Sequence, residues 1–274
     1  MGCKMNSRKL KYTKLLILLG VVLFAVPIFS QVDTYEDCFS KKSNADLKNL
    51  NKKQKGNSVE GVFYTSSARI PAEGMTWQTS FMSLNTLPKK KPSGISQNDW
   101  AKKTCALNAY RVSDTYEETK WCEGVSGTGI GEVVTGLIDL EKKNFFYILP
   151  GANGLRKNFE SYSRPSEIVV HYLLPGEIGT SQIGGKIFTN VSYFGKQSVK
   201  LSSEPGYQKI EIQSYKEILK EMKGMKVREG ETLVLVAIEI KSVIEGKENK
   251  EHTCIAEIGN FKDEAFYKKA TLRD

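Results

Sequence analysis

The chain is predicted to be all-β, on three observations. Segments rich in β-branched and aromatic residues follow one another between Gly, Pro and Asn turns. A convincing helical pattern occurs at Tyr215 to Met222 and nowhere else. No motif repeats at a fixed period, which argues against solenoids and propellers. Together these point to a β-sandwich or barrel with one short inserted helix.

Along the chain, MGCKMNSRKLKYTK is basic and leads into an apolar run from Leu15 to Phe29, then Ser30. That order is a secretory signal peptide, expected over 1–30 and cleaved after Ser30. The alternative is an uncleaved anchor, but fifteen apolar residues fall short of the roughly 20 that span a bilayer. Met-Gly-Cys at the start lacks Ser or Thr at the sixth position, so no acyl chain is expected. Residues 31–56 are polar and lysine-rich and are expected to be a linker with one helical turn. Val59 to Tyr64 opens a strand pattern. Ala68 to Gln97 is expected to be irregular, because three lysines lie between Pro88 and Pro92. That lysine run is a solvated loop, with an acidic partner as its alternative role.

Strands are expected at Leu137 to Leu140, Asn144 to Leu149, Ser166 to Leu174, Ser198 to Leu201, Gln208 to Ile212 and Thr232 to Ile244. The domain is expected over 57–262, followed by a tail at 263–274.

Charge narrows the partners. The formal net charge is +9, but Lys4, Arg8, Lys9, Lys11 and Lys14 all lie in the first 30 residues. Without those five, 35 basic residues face 31 acidic ones, too mild an excess for phosphate-backbone binding. No nucleic-acid partner is expected. In an oxidising compartment Cys38, Cys105, Cys122 and Cys254 allow three connectivities. Cys105–Cys122 is preferred for its moderate loop, and a free buried thiol stays open for Cys254.

Catalytic signatures are missing from the sequence: no HExxH, no paired CxxC and no GxSxG. His171 sits in an apolar strand pattern and is expected to be a satisfied core histidine. The most unusual stretch is KWCEGVSGTGIGE, Lys120 to Glu132. Its GxGxG spacing is not GxGxxG, no P-loop lysine follows, and the continuation is a strand, so no helix N-terminus awaits phosphate. The glycines suit a bend with positive φ and close backbone approach. Asp114, Glu117, Glu118 and Glu123 offer a possible structural Ca²⁺ site headed by Asp114, against the alternative of a solvated acidic turn.

Asp114 to Trp121 (DTYEETKW), followed by Glu123-Gly124 and Gly129-Ile130-Gly131-Glu132, resembles an element of discoidin-like domains, also called coagulation-factor type C or galactose-binding-like domains. The branch it resembles is the translocation and glycan-binding domain of a streptococcal NAD glycohydrolase, found in secreted bacterial proteins. Asn153 to Asn158 with Ser163-Arg164-Pro165, and Ser242 to Gly246 with Thr253 to Ile258, extend the likeness from Val59 to Phe261. Thr115 and Tyr116 depart from it where Gly-Asp is usual, and Val133 stands where an aromatic is common. The resemblance implies a discoidin-like jelly-roll β-sandwich with ligand loops at one end, and a module that binds without catalysis.

On that basis the expected function is an exported, non-catalytic module, periplasmic or at a bacterial cell surface. It would recognise glycan or another cell-surface ligand; the alternative is a protein partner, as in an adhesin or envelope-assembly factor. The candidate ligand-binding residues are Trp121, Glu123, Glu132, Asn153, Tyr162 and Arg164. Trp121 is expected to pack under the loop as a core aromatic, with sugar stacking as its alternative. Arg164 either pairs with Glu123 or Glu132 as a buried bridge or faces a ligand.

Overall fold

The computed structural model describes residues 38, 43–61, 63–64, 76–84, 86–114, 118–141, 143–152, 159–180, 186–225 and 232–260. They belong to a compact unit spanning Tyr35–Asp274. The expected signal segment 1–30, Asn153 and the tail at 263–274 lie outside the described residues.

The chain is all-β. The longest run of its sequence explains the centre: β10 (Leu233–Ile244) is buried without interruption from Leu233 to Ile240. A strand covered on both faces needs a continuous apolar run instead of alternation. β10 pairs antiparallel with β3 (Val133–Asp139) and with β5 (Tyr162–Leu174), for example Leu235 opposite Leu137 and Ile238 opposite Val170. β8 (Ser192–Lys200) adds to the far side of β5. A second group is built on β11 (Asn249–Gly259), which pairs with β2 (Trp121–Cys122) and β4 (Phe145–Pro150). β4 in turn pairs with β9 (Gln208–Glu211). The two groups join at a short parallel contact where Ser163 of β5 lies opposite Thr253 of β11. Beyond it β3 and β11 come face to face. A Cβ on Gly136 would overlap the Ile258 side chain, so the glycine permits the close packing of the layers.

A three-stranded sheet completes the β structure among the described residues: β1 (Phe63–Tyr64), β7 (Lys186–Thr189) and β6 (Glu177–Thr180) in that order. Its Phe188 and Phe63 pack edge-on against Trp77. β6 and β7 are short and were not expected from the sequence.

The inserted helix is present at Tyr215–Gly224, with Ile218 and Met222 buried one turn apart. Two corrections concern the N-terminal half. Gln97–Thr104 is a second α-helix, where no helical pattern was expected outside Tyr215 to Met222. Ser96 caps it by accepting from the Asp99 amide at 3.1 Å, and Trp100, Ala101 and Thr104 face inward. The expected linker over 31–56 is also partly core. Ala45–Lys52 forms a 3-10 helix capped by Asn44, and Leu47 and Leu50 are each 1% exposed. Lys48 and Asn51 fasten it to Glu132 and Glu239, and Asp46 pairs with Lys53 at its own C-cap. The lysine run at Lys89 to Lys91 is exposed, as a solvated loop requires.

The cysteine pairing differs from the preferred one. Cys38 is bonded to Cys105, and Cys122 to Cys254. Strand register decides this where loop length could not. Cys122 lies directly opposite Cys254 across β2 and β11, with Cα atoms 4.1 Å apart. Cys105 ends the Gln97–Thr104 helix and meets Cys38 of the N-terminal segment at 5.3 Å between Cα atoms. Cys254 is therefore not a free thiol.

Candidate functional site

The residues from Trp121 to Glu132 turn inward. Trp121 is fully buried, and its indole Nε1 donates to the Ser80 carbonyl at 2.9 Å. Its place among the core residues leaves no ring face for a sugar. The core role expected for it holds.

Glu123 is fully buried below the glycine loop. Its Oε2 accepts from the Val125 amide at 2.9 Å and its Oε1 from the Thr253 amide at 3.1 Å. Burial pushes its carboxyl above the ordinary value even though both amide bonds and the neighbouring His252 favour the charged form. The loop closes over this side chain: Gly129 adopts φ +70°, and a Cβ there would overlap Glu123. Gly127 and Gly131 also have positive φ, so the bend expected of this stretch is what its glycines make.

Glu132 is equally occupied. Its Oε1 lies 2.7 Å from Lys48 Nζ, and its Oε2 accepts from the Thr79 hydroxyl at 2.7 Å. Burial alone would raise this carboxyl, but hydrogen bonds from Lys48, Ser80 and Thr79 outweigh it and hold the group below its ordinary value. Asp114, offered as the head of a calcium site, is buried and spends its oxygens internally. Arg111 Nη1 lies 3.2 Å from one, and the Thr119 hydroxyl donates to the other at 2.7 Å. Among the described residues no group of three Cys, His, Asp or Glu side chains gathers as for a metal.

His171 is the satisfied core histidine expected of it. It is fully buried, with Nε2 2.9 Å from Glu239 and Nδ1 3.4 Å from the Tyr193 hydroxyl.

Tyr162 and Arg164 behave differently. Two residues apart at the start of β5, they are set by strand alternation on one face. Tyr162 is half-buried and packs at the edge of the cluster formed by Leu107, Cys122 and Cys254. Lys120 Nζ lies 5.0 Å from its ring centre. Arg164 is 7% exposed, with its guanidinium 4.3 Å over the Phe159 ring. Its Nε is buried and makes no hydrogen bond among the described residues. No carboxylate among the described residues lies within ion-pairing distance of it, so the expected bridge to Glu123 or Glu132 is not formed. Those two acids are already engaged by backbone amides, Thr79 and Lys48. Glu160 is close enough to favour the charged guanidinium, but its ion pair is with Lys247. Burial lowers both Arg164 and Lys120 from their ordinary values.

The site that emerges is Tyr162, Arg164 and the Phe159 beneath it, with Lys120 at the side. Lys120 was missed in the sequence, where a lysine before a tryptophan looks like any solvated charge. Its contact with Tyr162 depends on β2 and β5 both flanking β11, a long-range arrangement without a local signature.

No protein-family model matches the chain, and no curated protein matches it in sequence. Among solved structures it is similar to an arabinofuranosyltransferase AftD from Mycobacteria, at 13% identity and a TM-score of 0.29 over 72% of this chain. The match spans about a tenth of that protein, 10% of its length. At that TM-score the likeness carries no argument about this chain.

Proposed function

We propose that this chain is an exported, non-catalytic binding module that recognises a glycan or another cell-surface ligand through one end of its β-sandwich. The observation that carries the reading is the contrast within the candidate set. Trp121, Glu123 and Glu132 are consumed by the protein's own hydrogen bonds and packing. Arg164 is a buried guanidinium with an unpaired Nε beside the half-buried Tyr162. Binding sites combine an apolar face with a few fixed polar groups, and this corner supplies both.

Export is supported by the two disulfides, which persist in oxidising compartments, and by the basic and apolar opening of the sequence. No helix among the described residues is long and apolar enough to cross a membrane. The discoidin-like resemblance belongs to the same proposal, supported by the all-β fold and by Thr253 to Ile258 lying in β11, where Cys254 and Ile255 stand opposite Cys122 and Trp121.

A glycan array probed with the full chain and with Tyr162→Ala tests the reading. Specific glycan signals lost in a folded Tyr162→Ala protein are expected. A blank array with folded protein would overturn glycan recognition and direct the search to a protein partner.

A further inference from the structure

The charge around Tyr162 specifies the ligand more narrowly than its shape does. We infer that this corner of the sandwich binds an acidic saccharide, its anionic group held by Arg164 and its apolar ring face laid against Tyr162. The inference rests on the binding-module reading above.

Three observations carry it. Arg164 is 7% exposed and, among the described residues, its Nε has no hydrogen-bond partner and its ring contact is with Phe159. A buried charge without a counter-charge is costly, and a guanidinium has five donors arranged to meet an oxyanion in two parallel bonds. The centre of the Phe159 ring lies 4.3 Å from the guanidinium carbon, and this contact helps to hold the group in place. Lys120 supplies a second cation with no carboxylate in ion-pairing distance among the described residues, 5.0 Å from the Tyr162 ring. Glu160 is the acid whose charge acts on Arg164, and its pairing with Lys247 leaves the balance at the corner positive.

Two cations and a half-buried aromatic select a ligand with both an anionic group and a flat apolar face. An oxidised or sulfated sugar has both, and a neutral sugar leaves the guanidinium unpaired. Carboxylate and sulfate share this chemistry, so the test has an arm for each.

Calorimetric titration of the full chain with oligogalacturonate, a sulfated galactose oligomer and the matched neutral galactose oligomer tests the inference. One or both acidic oligomers should bind at least about tenfold tighter than the neutral one, and the tighter of them identifies the anion. Arg164→Lys keeps the charge but not the fork, and should bring acidic binding down towards the neutral level. Lys120→Gln removes the second cation from a partly exposed side chain and keeps a polar group in its place. It should weaken acidic binding about threefold with unchanged thermal unfolding, which protects the test if Arg164→Lys fails to fold. Equal affinity for neutral and acidic oligomers would overturn the inference and leave the glycan reading standing. No binding to any oligomer by folded protein would overturn both.

Discussion

The Thr253 hydroxyl donates to the Thr128 carbonyl at 2.7 Å. With the Thr253 amide bonded to Glu123, one residue of β11 ties down both the glycine loop and the carboxylate beneath it. The loop is thus part of the core's closure. Substitutions in it should cost stability according to what lies under each glycine.

Gly129→Ala combines positive φ with overlap onto Glu123 and should destabilise by about 2–4 kcal/mol. Gly127→Ala has the same backbone problem but open space around the new Cβ, and should cost only about 1 kcal/mol. Urea unfolding of the two variants checks this; equal losses would show that the loop does not press on Glu123.

Three of the buried carboxylates, Glu123, Glu132 and Glu239, give opposite pH signatures. Glu123 has a raised folded value, so its contribution is full below the unfolded carboxylate value and is lost as pH rises through the folded one. Glu132 and Glu239 are held low in spite of burial, the first by Lys48, Ser80 and Thr79, the second by His171, Lys241 and Asn51. Their contributions are full above the unfolded value and are lost as pH falls through the folded ones. Urea midpoints between about pH 3 and pH 8 should therefore show a smaller decline towards higher pH in Glu123→Gln. Glu132→Gln should show a smaller decline towards acid. Profiles parallel to the parent would contradict the assignment.

Trp121→Phe removes the indole donor from the Ser80 carbonyl and leaves a cavity. It should cost about 2–3 kcal/mol, seen as a Tm lower by about 5–10 °C. Ligand affinity measured below that Tm should be unchanged. A Trp121→Phe protein of parental stability with lost binding would return this ring to the ligand site.

Peptide mapping without reduction should recover Cys38 joined to Cys105 and Cys122 joined to Cys254. Replacing the Cys38–Cys105 pair by alanines should cost about 2–4 kcal/mol and free the N-terminal segment first, seen as faster amide exchange at Leu47 and Leu50. A fragment joining Cys105 to Cys122 would contradict the fold around β2.

Legibility in the sequence followed how local each cause was. β10 announced itself because a strand buried on both faces must be apolar throughout. The Tyr215–Gly224 helix showed its Ile218 and Met222 spacing. The 3-10 helix at Ala45–Lys52 did not, because two leucines among lysines form a core contact only once Glu132 and Glu239 anchor the segment. The Ser96 and Asp99 cap was a signal present in the sequence, but few apolar residues follow it. Disulfide pairing depended on the β2 and β11 register, which no spacing encodes. At the site, the glycine bend was legible from its residues. The separation of Glu123 and Glu132 from Arg164 was not, since Lys48 and Thr79 reach Glu132 from distant segments.

Amide chemical-shift mapping of the full chain with oligogalacturonate is the most direct experiment on where recognition occurs. Shifts concentrated at Lys120, Tyr162 and Arg164, with Val125 to Glu132 undisturbed, are expected. Shifts centred on the Gly127–Gly131 loop, with Tyr162 and Arg164 unmoved, would contradict the placement of the binding site.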